Sequence, residues 1–140
     1  MKGSRRLSVA LHVLVHLAER GEVRTSEDLA RCARTNAVVI RRTLAGLRDA
    51  GFVTSVSGPG GGWSLARGAD SISVGEVCRA LGERLLFALD LGAPRRCRVQ
   101  AGVTGVLDEF LEEAEGMLME RLDRVSIASV VRRTLAGVPR

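Results

Sequence analysis

Between Phe52 and Leu65 the chain reads Phe-Val-Thr-Ser-Val-Ser-Gly-Pro-Gly-Gly-Gly-Trp-Ser-Leu, a stretch that few folds can accommodate. Phe52, Val53, Val56, Trp63 and Leu65 are the β-branched, aromatic and apolar residues of a half-buried ribbon. Pro59 fixes its own φ, while Gly58, Gly60, Gly61 and Gly62 tolerate backbone conformations that other residues avoid. The expectation is a β-hairpin whose tip is bare of side chains. Such a tip lets backbone N–H groups approach another surface closely, and a phosphate backbone is one candidate. A tight turn with no further purpose would use the same residues, so the neighbouring segments must decide.

Two short helical patterns precede the hairpin, Ser26 to Ala33 and Asn36 to Ala50, the second closed by Gly51. Helix, turn, helix and hairpin, in that order, make a winged helix-turn-helix DNA-binding domain. The charge distribution agrees. From Met1 to Arg67 there are eleven basic and five acidic residues, and beyond Arg67 ten basic and eleven acidic. The cationic surplus thus sits in the half that holds the helix-turn-helix, as a phosphate-binding face requires.

The 140 residues suffice for one domain with an appended helix. No apolar run approaches the roughly 20 residues needed to cross a bilayer, and the N-terminus lacks a secretory signal pattern, so a cytoplasmic protein without membrane contact is expected. Cys32, Cys78 and Cys97 are an odd number at wide spacing, which fits neither a disulfide framework nor a zinc knuckle. They are read as free thiols.

In chain order, Ser4 to Glu19 carries Leu7, Ala10, Leu11, Leu14, Leu17 and Ala18 at three-and-four spacing, the apolar stripe of a first helix. His12 and His16 fall one turn apart on it. Such a pair can bind a metal, but no Glu follows the first His in the metalloprotease pattern and no third ligand is evident nearby. They are read as partly buried packing residues, and no metal is expected. Thr25 and Ser26 ahead of Glu27 and Asp28 supply a hydroxyl cap and first-turn acids for the second helix, which buries Leu29, Ala30 and Cys32.

Asn36 can cap the third helix, whose apolar positions Val39 or Ile40, Leu44 and Leu47 leave Arg41, Arg42 and Arg48 elsewhere on its surface. This is the expected recognition helix. Its early residues Asn36, Val38, Val39, Arg41 and Arg42 are candidates for base edges, since arginine takes the O6 and N7 acceptors of guanine together and valine packs on a thymine methyl. Arg5, Arg6 and Ser26 near two helix starts join them as candidate DNA contacts, with Ser57, Gly58, Pro59, Gly60, Gly61 and Gly62 of the wing.

After the wing, Ser73 and Glu76 form a capping-box signature for a fourth helix with Val74, Val77, Cys78 and Leu81 inward. Gly82 to Gln100, containing Gly92, Pro94, an Arg-Arg pair and Cys97, is a loop by elimination. Gly102 to Leu122 then carries the strongest helical pattern in the chain. Its stripe includes Val103, Leu107, Phe110, Leu111, Ala114, Met117 and Leu118, opposite Asp108, Glu109, Glu112, Glu113 and Glu115. That is wider than so small a monomer needs, and it points to pairing with a second copy. Ser126 caps a last helix with Ile127, Val130, Val131 and Leu135.

From about Leu7 to Val131 the chain resembles the bacterial winged-helix transcription factors that include the iron–sulfur cluster regulator IscR, the nitric-oxide-sensing repressor NsrR and the cysteine-metabolism repressor CymR. The motifs are Leu47-Arg48-x-Ala50-Gly51-Phe52-Val53 running into Ser57-Gly58-Pro59-Gly60-Gly61-Gly62-Trp63-x-Leu65-Ala66, then Ser71-Ile72-Ser73-Val74-Gly75-Glu76-Val77, and Val125-Ser126-Ile127. The resemblance implies a homodimer on a palindromic operator, recognition helices in successive major grooves and wings at the adjacent minor grooves. Members that sense through a cluster carry three cysteines in the segment equivalent to Arg84 through Gly105, where this chain has Cys97 alone. It also has Arg41 where glutamate is common and Ser57 where arginine is frequent. The resemblance is therefore to the cluster-free branch, without a cofactor.

The expected fold is mainly α with a small β-hairpin wing: a winged helix-turn-helix domain at 1–82, a loop or sensor segment at 83–101, and a dimerisation helix with a C-terminal helix at 102–140. The expected function is a DNA-binding repressor rather than an enzyme. Gly58 to Gly62 leads into Trp63, without the Lys-Ser/Thr or following helix of a P-loop, and no nucleophile–base pairing is evident. A winged-helix adaptor for protein contact is the alternative. Cys97 is a candidate sensor, because Arg95, Arg96 and Arg98 beside it favour the thiolate that oxidants attack.

Overall fold

The structure, a computed structural model, describes residues 4–86 and 97–137. Gly92, Pro94, Arg95 and Arg96, to which the sequence assigns a loop and a cationic setting for Cys97, lie outside the described residues. The elements run α1 (Ser4–Arg20), α2 (Ser26–Cys32), α3 (Ala37–Asp49), β1 (Val53–Val56), β2 (Gly62–Leu65), a 3-10 turn (Ala69–Ser71), α4 (Val74–Leu81), α5 (Arg98–Asp123) and α6 (Ile127–Leu135). β1 and β2 form the antiparallel hairpin, with Val53 opposite Leu65 and Val56 opposite Gly62. The architecture is mainly α with a β-hairpin wing, as the sequence implies. No described helix is long and apolar enough to cross a membrane.

Local chemistry sets most helix starts. Thr25 Oγ1 accepts from the Asp28 N–H at 3.1 Å, Asn36 Oδ1 from the Val39 N–H at 2.9 Å, and Ser126 Oγ from the Ser129 N–H at 3.1 Å. Ser73 and Glu76 close a full capping box: Glu76 N–H donates to Ser73 Oγ at 3.1 Å and Ser73 N–H to Glu76 Oε2 at 2.9 Å. Those N–H groups have no partner within their helices, so each cap is worth about 0.5–2 kcal/mol. The Ser73 N–H first, then Arg67, hold the Glu76 carboxyl below its ordinary range.

One core joins the elements. Leu7, Ala10, Val13, Leu14 and Leu17 of α1 meet Leu29, Ile40, Leu44 and Leu47 of α2 and α3, Phe52 and Val53 of the wing, and Val77, Cys78 and Leu81 of α4. Leu11 and Ala18, expected in the α1 stripe, pack partly buried at its edge. On α3 the buried positions are Ile40, Thr43, Leu44 and Leu47, so Ile40 rather than Val39 faces inward. Thr43 tolerates burial because its hydroxyl donates to the Val39 carbonyl at 2.9 Å.

Two departures from the sequence reading concern α2 and α5. Cys32, expected in the core, is exposed, because the buried side of α2 runs through Ser26, Leu29 and Ala30 and leaves residue 32 off that face. α5 begins at Arg98 rather than Gly102, which makes it 26 residues long. Gly102 and Gly105 dilute the periodic pattern there, but the chain continues helically through both.

The second half is laced to the first by backbone. Val74 N–H donates to the Val125 carbonyl at 2.8 Å, and Ile127 N–H to the Ile72 carbonyl at 2.8 Å. α4 and the end of α5 touch at Gly75, where any Cβ would overlap the Asp123 carboxylate and lie 2.9 Å from the Asp123 backbone nitrogen. Arg79 clasps the same carboxylate with Nη1 and Nη2 at 3.2 and 2.6 Å. Gly75→Ala is expected to lower stability by about 1–3 kcal/mol through overpacking, read as a fall in thermal midpoint. An unchanged midpoint would show that the α4–α5 junction has slack.

Candidate nucleic-acid interface

α2, a short turn and α3 form the helix-turn-helix. In the turn, Thr35 N–H donates to the Ala30 carbonyl at 3.0 Å, and Arg34 takes φ 50°, a left-handed conformation unusual outside glycine. The reversal brings the first turn of α3 to the surface. Val38 there is 61% exposed and Val39 is exposed beside it, although both are apolar. Asn36 stands at the cap with its carbonyl oxygen engaged and its amide group left to donate.

Arg41 and Arg42 are both exposed, but their settings differ. Arg41 Nη2 reaches Glu27 Oε1 on α2 at 2.5 Å, whereas Arg42 has no ion pair among the described residues. Arg42 lies instead on a groove of about 510 Å³ between the starts of α1 and α3, lined also by Arg5, Arg6, Asn36 and Val39. Three arginines thus line one groove beside the exposed face of α3. Arg6 also donates through Nη1 to the Leu81 carbonyl at 3.3 Å, which fastens α1 to the end of α4.

The wing is anchored at its second strand. Arg24, between α1 and α2, exchanges backbone hydrogen bonds with Trp63, N–H to carbonyl at 2.9 Å and back at 2.8 Å. The Trp63 indole N–H donates to Ser26 Oγ at 3.1 Å. Ser26, a candidate DNA contact in the sequence, is buried under this bond and holds the wing to α2 instead. Gly62 belongs to the same junction, because a Cβ on it would overlap the Arg24 carbonyl oxygen. The exposed tip is Ser57, Gly58, Pro59 and Gly60, with Gly61 half-buried behind it. Gly58 and Gly60 have φ of 88° and 74°. Gly61 is required for another reason than φ: a Cβ there would overlap the Val56 carbonyl oxygen. Neither the Trp63–Ser26 bond nor the Arg24 pairing could be read from the sequence, since each joins residues about 40 apart.

None of the residues of α5 is buried. Phe110 and Met117 are 68% and 71% exposed, and Val103 is exposed with them. Leu107, Leu111, Ala114 and Leu118 are half-buried along the same helix. Val106 of the same apolar pattern is exposed with them, and Val99, before the expected start of the helix, extends the exposed stripe at the same three-and-four spacing.

The thiols are dispersed. Cys78 is buried in the core, where burial pushes its thiol pKa up, Cys32 ends α2, and Cys97 is the exposed residue before α5. An iron–sulfur cluster takes four ligands, mostly thiolates. With one of three thiols locked in the core and another on α2, the residues do not fit such a cluster.

The chain matches the Rrf2 family, described as an iron-dependent transcriptional regulator, over residues 3–133. It is 34% identical over 127 residues to YwnA of Bacillus subtilis, whose name assigns it provisionally to the HTH-type transcriptional regulators; the match covers 90% of this chain and 94% of YwnA. A crystal structure provisionally described as that of a DNA-binding protein is 31% identical, with a TM-score of 0.72, covering 89% of this chain and 97% of that one. The T. potens IscR structure shares the fold at a TM-score of 0.70 and 23% identity, over 100% of this chain and 91% of its own. Helix-turn-helix, anchored wing and basic groove therefore have a common explanation: the chain belongs to the Rrf2 family of DNA-binding transcriptional regulators and is not an enzyme.

Proposed function

We propose that the protein is a homodimeric repressor that occupies a palindromic operator, with α3 of each subunit in the major groove and the wing tip at the adjacent minor groove. The observation that carries this reading is the exposure of Val38 and Val39 in the first turn of α3, between the Asn36 cap and the cations of Arg41 and Arg42. Apolar side chains at a helix start, flanked by guanidinium groups, suit a thymine methyl beside phosphate or guanine acceptors. The proposed DNA contacts are Asn36, Val38, Val39, Arg41 and Arg42, with Arg5 and Arg6 along the groove and Ser57 to Gly61 at the tip.

The proposed partner is a second copy of the chain, paired along α5 through Val103, Leu107, Phe110, Leu111, Ala114, Met117 and Leu118, with Val99 and Val106 added. What supports it is that α5 buries no residue within one chain. An iron–sulfur cluster is not part of this function. Cys97 is proposed as the sensor, because it is exposed and caps α5 without a side-chain hydrogen bond. Peroxide would transfer one oxygen to its thiolate and release hydroxide, leaving a sulfenic acid at the start of the pairing helix.

Three outcomes are expected. In selection from random DNA, Arg41→Ala and Arg42→Ala shift the preferred sequence, each lost base contact costing about 1–3 kcal/mol, whereas Gly61→Val weakens binding to all sequences; unchanged preference in both arginine variants removes them as readers. Phe110→Glu splits the dimer in sedimentation, since about 1.5–3 kcal/mol accompanies burial of such a side chain; a variant that stays dimeric with normal operator affinity counts against the seam. Peroxide lowers operator affinity in the wild type and not in Cys97→Ser; an equal response in both excludes Cys97 as the sensor.

A further inference from the structure

His12 and His16 stand one turn apart on α1, and the exposed Cys32 at the end of α2 comes up against them. One ligand atom from each of the three residues lies within 4.8 Å of the other two. The third ligand that is missing from the local sequence is supplied by the neighbouring helix. We propose that His12, His16 and Cys32 form a binding site for a divalent transition-metal ion of the zinc type, fastening α2 to α1.

Three features of the site favour a metal over simple packing. The imidazole rings are 4.6 Å apart between centroids and tilted by 50°, so they converge without stacking flat. His12 Nε2 is buried and has no hydrogen-bond partner among the described residues. An uncompensated ring nitrogen is costly to bury, and a metal–nitrogen bond would satisfy it. His16 Nδ1 lies 4.0 Å from Glu19 Oε2, too far for a hydrogen bond but near enough to put a negative charge beside the site, which favours a cation there.

The donor set selects the metal class. Two imidazoles and a thiolate suit zinc and its neighbours, and they lack the oxygen ligands that calcium or magnesium require. Bonds of about 2.0–2.1 Å to nitrogen and about 2.3 Å to sulfur place the tetrahedral ligand atoms of such a site roughly 3.3–3.6 Å apart. The separations in this cluster, at most 4.8 Å, are within about 1.5 Å of that, a difference that a rotation of the exposed cysteine side chain at a helix end can close. Three protein ligands leave a fourth position for water. The bound ion would join α1, which carries much of the core, to the first helix of the helix-turn-helix, two residues before the Arg34 turn.

The test uses reduced, tag-free full-length protein titrated with Co²⁺, whose thiolate charge-transfer absorption reports a Cys–metal bond, followed by displacement with Zn²⁺. One Co²⁺ per chain is expected, with the charge-transfer band lost in Cys32→Ser and retained in Cys97→Ser. His16→Gln is expected to weaken Co²⁺ binding by at least about tenfold. Zn²⁺ should raise the thermal midpoint of the wild type and leave that of Cys32→Ser unchanged, with circular dichroism verifying that the variants fold. No thiolate–cobalt band at micromolar metal, or a band that survives in Cys32→Ser, overturns the proposal. None of these measurements involves DNA, so the outcome is independent of the operator reading.

Discussion

Arg24 and Trp63 exchange both of their backbone hydrogen bonds, and the winged helix-turn-helix half of the molecule depends on that exchange. A lone two-stranded hairpin is marginally stable in water. Here β2 is held on both edges, by β1 on one side and by the chain between α1 and α2 on the other. Trp63 adds its indole bond to Ser26 in the first turn of α2. The wing tip therefore has a defined position relative to α3. Gly62 makes this possible, since a side chain there would force the wing off Arg24. The glycine run serves two purposes: Gly58 and Gly60 turn the chain, and Gly61 and Gly62 clear space for backbone.

Much of the fold is legible in the sequence because its signals are local. A cap acts three residues away, so Thr25, Asn36, Ser73 and Ser126 mark helix starts that the structure reproduces. The hairpin is legible for the same reason. What escapes is whatever depends on two elements meeting. The exposure of Cys32, the burial of Ser26 beneath Trp63 and the pairing of Arg41 with Glu27 all follow from the packing of α2 against its neighbours, which periodicity does not encode. The start of α5 was hidden by Gly102 and Gly105, which lower local propensity by up to about 1 kcal/mol each without breaking a helix.

For the candidate site, residue types were legible and their circumstances were not. Arginines and valines at the start of α3 could be named from order alone. That Arg41 is held by a carboxylate while Arg42 edges a groove with Arg5 and Arg6 required the tertiary arrangement. The two arginines are adjacent in sequence yet begin from different electrostatic states. Among the described residues Arg42 has no ion partner to leave before it approaches DNA.

The lacing of Ile72 and Val74 to Val125 and Ile127, with Gly75 flush against Asp123, clamps the C-terminal end of α5 to the helix-turn-helix half. α5 is then a rigid boom carried by the reading head. In two chains joined along their booms, the gap between reading heads is set by the register in which the booms meet. Sliding the seam by one heptad, seven residues at about 1.5 Å each, displaces one head from the other by about 10 Å. A turn of DNA is about 34 Å, so such a slip would carry one head nearly a third of a turn out of phase. Operator spacing would thus be written in the side chains of a helix outside the proposed DNA contacts.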